Sequence, residues 1–272
     1  YRVMILAKLN NDILLNELTD GVLRLTLNDD QRRNALSVDM LSQITDALAS
    51  AANDTSVRVI VLAASGPVFC AGHDLKEMTA ARKEQDGGEA FFEQLFETCA
   101  SVMQIIVRHP KPIIAEVGGV ATAAGCQLVA SCDLAIAAES AQFATPGVNI
   151  GLFCSTPMVA LSRNVSHKHA MEMLLLGEML NAEKALEIGL INRVVPKSEL
   201  TLVTTSIAGI IAAKSSKTVA VGKRAFYEQA EMSLADAYIH TSKIMAKNML
   251  SEDAEEGIDA FLSKRPPMWH NT

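Results

Sequence analysis

Two stretches of this 272-residue chain set small residues against the start of a helix. Residues 65–74 read SGPVFCAGHD and residues 118–125 read GGVATAAG. Each follows an apolar run, VRVIVLA at 57–63 and PIIAEV at 112–117, and each precedes a helical pattern. A helix start presents N–H groups with no partner inside the helix, together with the positive end of its macrodipole. Small residues such as Gly72, Ala123, Ala124 and Gly125 let a ligand approach that backbone closely. Two such loops on neighbouring strands can aim two amides at one oxygen, an oxyanion hole that needs no particular side chain. Neither loop has the spacing of a GxxxxGKS/T or GxGxxG phosphate-binding sequence. Each alone also reads as a tight turn of any α/β protein. The spacing leads to a ligand pocket at the carboxyl ends of strands and stops there.

The elements that position these loops follow from periodicity. Alternation at 13–18 and 21–27 predicts two strands, and Met40, Leu41, Ile44, Ala47 and Leu48 predict a helix over 37–52 that starts at Ser37. Runs at 57–63, 113–117 and 134–138 predict strands buried on both faces. Residues 82–89 predict a loop, and 91–109 a long helix stopped by Pro110 and Pro112. After about residue 155 the strand signal is confined to 191–195. Helices are predicted at 170–176, 182–188, 200–213, 235–249 and 255–262. Strands alternating with helices over 13–150 imply βαβ units. The fold class is α/β, with a core at 12–200 and a helical C-terminal region at 201–272.

Composition removes several function classes. Hydrophobic residues make up 49% of the chain, enough to bury a sizeable core. Lysine and arginine total 24 against 31 acidic residues, a net charge of −7 that argues against a general nucleic-acid binder. A local basic patch for an anionic ligand is still allowed. Five cysteines without a CxxC pair suit a reducing compartment, and neither a disulfide framework nor a metal site is expected. No uninterrupted apolar run reaches the roughly 18–20 residues of a membrane span. The opening residues are too short and lightly charged for a targeting signal. The expected location is cytoplasmic. Because the chain begins at Tyr1, an upstream targeting segment and a mitochondrial-matrix location form the alternative.

Five blocks resemble the crotonase, or enoyl-CoA hydratase/isomerase, superfamily, and they occur in the family's order from about residue 14 to 269. They are RRNALS, PVFCAGHDLKEM, the long block from PKPIIAEV through AAGCQLVASCD to FATP, ALEIGLINRVVP, and FLSKRPP. The resemblance implies a ClpP/crotonase-like spiral of ββα units and a C-terminal helical trimerisation region. It implies an acyl-CoA substrate whose enolate oxygen is held by the main-chain N–H groups of His73 and Ala124. That backbone role makes imidazole catalysis by His73 unnecessary. Coenzyme A would enter as part of the substrate, with no permanently bound cofactor, along Arg33, Ala35 and Ala71. Asp74 and Leu75 would border the adenine, and Lys76 would approach a phosphate. Phe261 and Lys264, on the last helix, would reach coenzyme A from an adjacent subunit of a homotrimer or of a hexamer of paired trimers.

The chain departs from the family at the acid and base. Hydratases of the family use two glutamates, at the positions where this sequence has Gln127 and Gly147. Glutamine can hold a water or a carbonyl, but it does not exchange protons near neutral pH. Among nearby candidates, Cys126, Asn149, Cys154, Ser155 and Thr156, Cys154 has an unperturbed pKa within reach at about 8.5. Glu93 and Glu97 read as exposed, Asp133 as structural, and the direction of Glu116 is open. An oxyanion hole without these carboxylates suits decarboxylation, in which loss of CO₂ forms the enolate directly. A silent acyl-CoA binding protein is the alternative from another class. Restoring both glutamates, Gln127→Glu with Gly147→Glu, is expected to raise hydration.

Overall fold

The computed structural model describes residues 12–271. Strands β1 (Leu14–Thr19) and β2 (Val22–Leu27) pair antiparallel across an Asp20–Gly21 turn. Both turn residues have positive φ, 50° and 79°, as a two-residue hairpin linked by Asp-Gly requires. Helix α1 (Val38–Asn53) starts where Ser37 accepts a hydrogen bond from the Met40 N–H, and it buries Met40, Leu41, Ile44, Leu48 and Ala51. The chain continues through β3 (Val59–Ala64), β4 (Val68–Cys70), α2 (Leu75–Ala81) and α3 (Glu89–Arg108). Then come β5 (Ile113–Val117), β6 (Val120–Thr122), α4 (Ala124–Ser131), β7 (Leu134–Ala138) and β8 (Gln142–Ala144). Helices α5 (Pro157–Leu161) and α6 (His167–Leu176) precede β9 (Leu180–Asn181), α7 (Ala182–Glu187) and β10 (Arg193–Val195). Helices α8 (Leu200–Ala212), α9 (Ser216–Gln229), α10 (Leu234–Met249) and α11 (Glu252–Leu262) complete the chain.

The strands form two sheets, ordered β1-β2-β3-β5-β7-β10 and β4-β6-β8-β9. Successive strands alternate between them: β3, β5 and β7 join the large sheet, while β4, β6 and β8 join the small one. Each repeat therefore advances one strand in both layers, which is the spiral of ββα units expected. The three-residue strands β4 and β6 lie inside stretches that read as loops in sequence, because three residues are too few to show a period. Helices α5 and α9 likewise lie outside the predicted elements.

One apolar core fills the space among the sheets, α1, α3 and α4, and a second lies beneath α8 on the other face of the large sheet. Leu200, Ala208 and Ala212 of α8 pack there on Val59, Val61, Ile114 and Ile136, so the first helix of the C-terminal region is joined to the sheet. Helix α3 has the length and apolar content of a membrane span. It is amphipathic, however: Leu95, Cys99, Val102, Met103 and Ile106 face the core, while Glu93 and Glu97 are exposed as expected.

Just beyond α3, the buried His109 ring bridges three elements. Its Nε2 lies 3.0 Å from the Leu48 carbonyl, and its Nδ1 lies 3.1 Å from the Lys111 N–H that donates to it. This arrangement uses the neutral ring, and burial lowers the imidazole pKa below its ordinary value. The unfolded chain thus binds a proton that the folded chain resists. Folding stability is expected to fall as pH drops through about 6.5, the pKa of an unperturbed histidine. Urea midpoints measured from pH 8 to 5 check this, and a slope unchanged in His109→Gln would assign the effect elsewhere.

Candidate active site

The small sheet brings the two loops of the sequence together. Cys70 of β4 pairs with Ala121 of β6, and Thr122 of β6 pairs with Ala144 of β8, all in parallel. The carboxyl ends of three strands therefore lie side by side, carrying Gly72–His73, Ala123–Ala124 and Thr145. The Thr122 hydroxyl donates to the Ala71 carbonyl at 3.2 Å, and the Ala123 N–H donates to the Ala144 carbonyl at 2.9 Å. A third segment joins from the other side. The Leu36 N–H donates to the Gly72 carbonyl at 2.8 Å, and the Ala71 N–H to the Arg33 carbonyl at 3.1 Å.

Gly72 is the point of closest approach. Its φ is +92°, and a Cβ placed there would lie 3.0 Å from the Ala123 Cβ and 3.3 Å from the Ala124 nitrogen. Only glycine allows both this backbone conformation and this proximity. Ala124 is the first residue of α4, whose every residue is buried, so its amide is one of the helix's unpaired N–H groups. Among the described residues neither the His73 nor the Ala124 N–H donates to a main-chain carbonyl. Two loops with amides that lack main-chain acceptors thus meet at Gly72, and one of these amides opens a helix whose dipole favours negative charge.

The chain matches the Enoyl-CoA hydratase/isomerase family over residues 17–272. It belongs to that family. Enoyl-CoA hydratase domain-containing protein 3, mitochondrial, of Rattus norvegicus is 48% identical over 250 residues, covering 92% of this chain and 82% of the rat protein. The crystal structure of an enoyl-CoA hydratase from Mycobacterium smegmatis is 50% identical, with a TM-score of 0.90 over 95% of this chain and 99% of that one. Human enoyl-CoA hydratase domain-containing protein 3 is 46% identical, with a TM-score of 0.90 over 94% of this chain and all (100%) of that chain. The crotonase spiral expected from the five sequence blocks is therefore the fold of this enoyl-CoA hydratase/isomerase family member.

The residues expected along coenzyme A fall on two surfaces. Arg33 is exposed and Ala35 is buried, both on the segment that pairs with Ala71–His73. Leu75 and Lys76, exposed on the first turn of α2, extend the same edge. Asp74 is buried and already employed: its Oδ1 accepts the Lys76 N–H at 2.8 Å as the cap of α2, and its Oδ2 lies 3.6 Å from Arg32. Its carboxylate thus holds the loop in place. Phe261 is exposed on the last turn of α11, whereas Lys264 lies two residues past that helix at φ 53°. Among the described residues no hydrogen bond, ion pair or ring contact links either of them to residues 33–36 or 71–76 of the same chain.

The two missing-glutamate positions differ sharply. Gln127 lies one turn into α4, is buried, and its Oε1 has no hydrogen-bond partner. Gly147 is also buried, but a Cβ there would lie 2.8 Å from the Leu152 carbonyl and 2.9 Å from the Cys154 sulfur. The expectation that Gly147→Glu helps restore hydration is therefore corrected. The backbone of 152–154 occupies the space, and Gly147→Glu is expected to destabilise the chain by about 1–3 kcal/mol through overpacking, with more if the carboxylate stays buried. A thermal melt of Gly147→Ala separates the two costs. If both variants melt like the parent, the packing at Gly147 is looser than these distances require.

The other candidates resolve by burial. Cys154 is buried and its thiol pKa is raised by burial, so it is a small apolar group and not a thiolate. Cys126 is pushed up to about 12 for the same reason. Glu116 points away from the loops, to the α8 side of the large sheet, where it pairs with Arg24 and accepts the Thr201 hydroxyl at 2.9 Å. Asn149 donates to the Gly177 carbonyl at 3.2 Å, and Ser155 and Thr156 lie outside the core. Sequence reading missed Asn34, which is fully buried at φ 51°. Its amide donates to the Ser65 and Val68 carbonyls at 2.9 and 2.7 Å, clamping the Arg33–Ala35 segment onto β4. It also missed Thr145 and Phe96, whose ring meets His73 edge-on at a centroid distance of 5.4 Å.

Proposed function

We propose that this protein processes acyl-CoA thioesters through an enolate held by the His73 and Ala124 amides, and that it is a poor hydratase. The observation that supports this reading is the close approach of Gly72 to Ala123 and the Ala124 nitrogen, in loops where, among the described residues, neither the His73 nor the Ala124 N–H donates to a main-chain carbonyl. Oxyanion donors are worth about 2.7–4 kcal/mol each to a reaction that places charge on that oxygen. Hydration by the two-glutamate route also needs groups that exchange protons. Each such group contributes roughly 10²–10⁴-fold. Gln127 supplies none, and Gly147 has no side chain and no room for one. Coenzyme A would run along Arg33, Ala35, Ala71, Leu75 and Lys76, with Phe261 and Lys264 contributed by a neighbouring copy in a trimer or hexamer. The vertebrate relatives are named mitochondrial, which favours the matrix for a eukaryotic source, while a bacterial source would place the protein in the cytoplasm.

Incubation with a mixture of acyl-CoA thioesters, followed by mass spectrometry of retained and altered species, tests the reading. Retention of thioesters, with crotonyl-CoA hydration at least about 10²-fold below that of a two-glutamate family member assayed alongside, is the expected result. Failure to retain any thioester would remove the proposal. Hydration as fast as in the two-glutamate comparison enzyme would overturn its second half.

A further inference from the structure

Six buried side-chain polar atoms among the described residues lack a hydrogen-bond partner, and three of them belong to residues that follow the neighbouring strands β4, β6 and β8. They are His73 Nε2, Gln127 Oε1 and Thr145 Oγ1. The other three, on Arg58, Glu116 and Thr204, belong to residues outside these loops. The positions of the first three follow from the small sheet. His73 comes just after β4, Gln127 stands one turn beyond the end of β6, and Thr145 directly follows β8. The Gln127 N–H donates to the Ala123 carbonyl, and the Ala123 N–H to the Ala144 carbonyl, so this part of the cluster is tied together by main chain. Gln127 and Thr145 are 4% and 1% exposed. A buried polar atom left unpaired is costly, so three of them at neighbouring strand ends mark a site whose partner is a ligand or a bound water.

The chemistry of the three atoms can be read further. His73 Nδ1 lies 3.4 Å from the Leu36 carbonyl, an acceptor that favours the tautomer with hydrogen on Nδ1. Nε2 then carries a lone pair. Burial lowers the imidazole pKa, which keeps the ring neutral at physiological pH. The Gln127 oxygen also accepts, and the Thr145 hydroxyl both donates and accepts. The three groups are uncharged and rich in acceptors, and they belong to the same strand ends as the amides that would hold an enolate.

We propose that the His73 imidazole is the proton-transfer group of this site, replacing the absent glutamates, and that Gln127 and Thr145 hold the water that exchanges its proton with solvent. The proposal rests on the acyl-CoA reading above. In the step, a proton on the carbon next to the thioester carbonyl passes to Nε2. The C–H electron pair becomes the C=C bond of the enolate, and the carbonyl π pair moves onto the oxygen between the two amides. Return of a proton reverses each change, so the exchange consumes no co-reactant. One residue thus serves twice, through its main-chain N–H and through its ring.

Butanoyl-CoA in D₂O is the probe, with deuterium entry next to the thioester read by NMR and butanoyl-CoA retention measured separately by equilibrium dialysis. The parent protein is expected to exchange that hydrogen. His73→Gln and His73→Phe, which both keep the backbone amide, should slow exchange by about 10²–10⁴-fold while retaining the thioester. Thr145→Val should give a smaller loss with unchanged retention. If the parent retains butanoyl-CoA without exchanging it, or if both His73 variants exchange at the parental rate, the imidazole has no such role and the thioester reading survives. If the parent retains no thioester, that reading and this proposal fall together. His73→Gln guards against a folding defect in the phenylalanine variant, since it keeps a polar side chain of similar reach.

Discussion

Ala124→Pro is expected to lower turnover of any thioester this protein processes by roughly 10²–10³-fold, the loss found on removing one oxyanion donor. The substitution leaves the helix's own hydrogen bonds intact. Ala124 is the first residue of α4, where proline's fixed φ fits and its missing N–H breaks no helical bond. The preceding Ala123, at φ 52° and ψ −119°, lies outside the extended region that proline imposes on the residue before it, so the variant must also shift that peptide and its folding is measured alongside. Among the described residues the Ala124 N–H donates to no main-chain carbonyl, and in the proposed reading the donor lost is one that holds the thioester oxygen. Steady-state rates on the most active thioester, with retention measured alongside, check the result. Unchanged rates in a folded variant would remove the Ala124 amide from the chemistry. Gly72→Ala approaches the same point from the other loop. Its new Cβ would press on Ala123 and Ala124 from a backbone at φ +92°, parting the two amides and straining the turn.

Lys223→Ala is expected to cost about 3–5 kcal/mol of folding stability, the loss typical of breaking a buried ion pair from one side. The Lys223 side chain is 7% exposed, and its ammonium lies 2.7 Å from Asp133 Oδ2. It also donates to the Ile106 and Lys111 carbonyls at 3.0 and 3.2 Å. Asp133 in turn accepts the Tyr227 hydroxyl at 3.0 Å and the Ile113 N–H at 2.7 Å. This network fastens α9 to the start of β5 and β7. Burial lowers the Lys223 pKa even with the carboxylate beside it, so the charge is held at a desolvation cost. Removal of the lysine leaves Asp133 with its charge uncompensated. Chemical denaturation of Lys223→Ala and of Lys223→Met with Asp133→Asn separates the two effects. The double variant should recover much of the loss, because it buries no lone charge. If the single variant were as stable as the parent, the network would be incidental to holding α9.

The long elements were legible because their periods are long. The α1 and α3 stripes, the buried runs of β3, β5 and β7, and the Ser37 cap were each visible in order, type and approximate bounds. The small sheet was not. Its strands have two or three residues and no alternation to detect, so β4 and β6 were hidden within loops. Helix α9 escaped because its register mixes Lys217, Lys223 and Arg224 with a single buried residue, Ala225, and one of those charges turns inward. The site was half legible. The small-residue loops pointed to a pocket at strand ends, and the family resemblance implied His73 and Ala124 as its donors, but the unpaired atoms of His73, Gln127 and Thr145 depend on what surrounds them.

Sequence alone determined that two small-residue loops follow buried strands, that a helix opens at Ala124, and that both glutamate positions of the family are vacant of carboxylate. These are properties of short stretches, set by side-chain size, period and the chemistry of single residues. Tertiary structure decided that Gly72 touches Ala123 and Ala124, that Gly147 has no space for a side chain, and that Glu116 faces the opposite side of its sheet. The first and third depend on segments far apart in the chain that meet only when strands pair, and the second on a loop folding back on itself, and no local pattern encodes how much room such a meeting leaves.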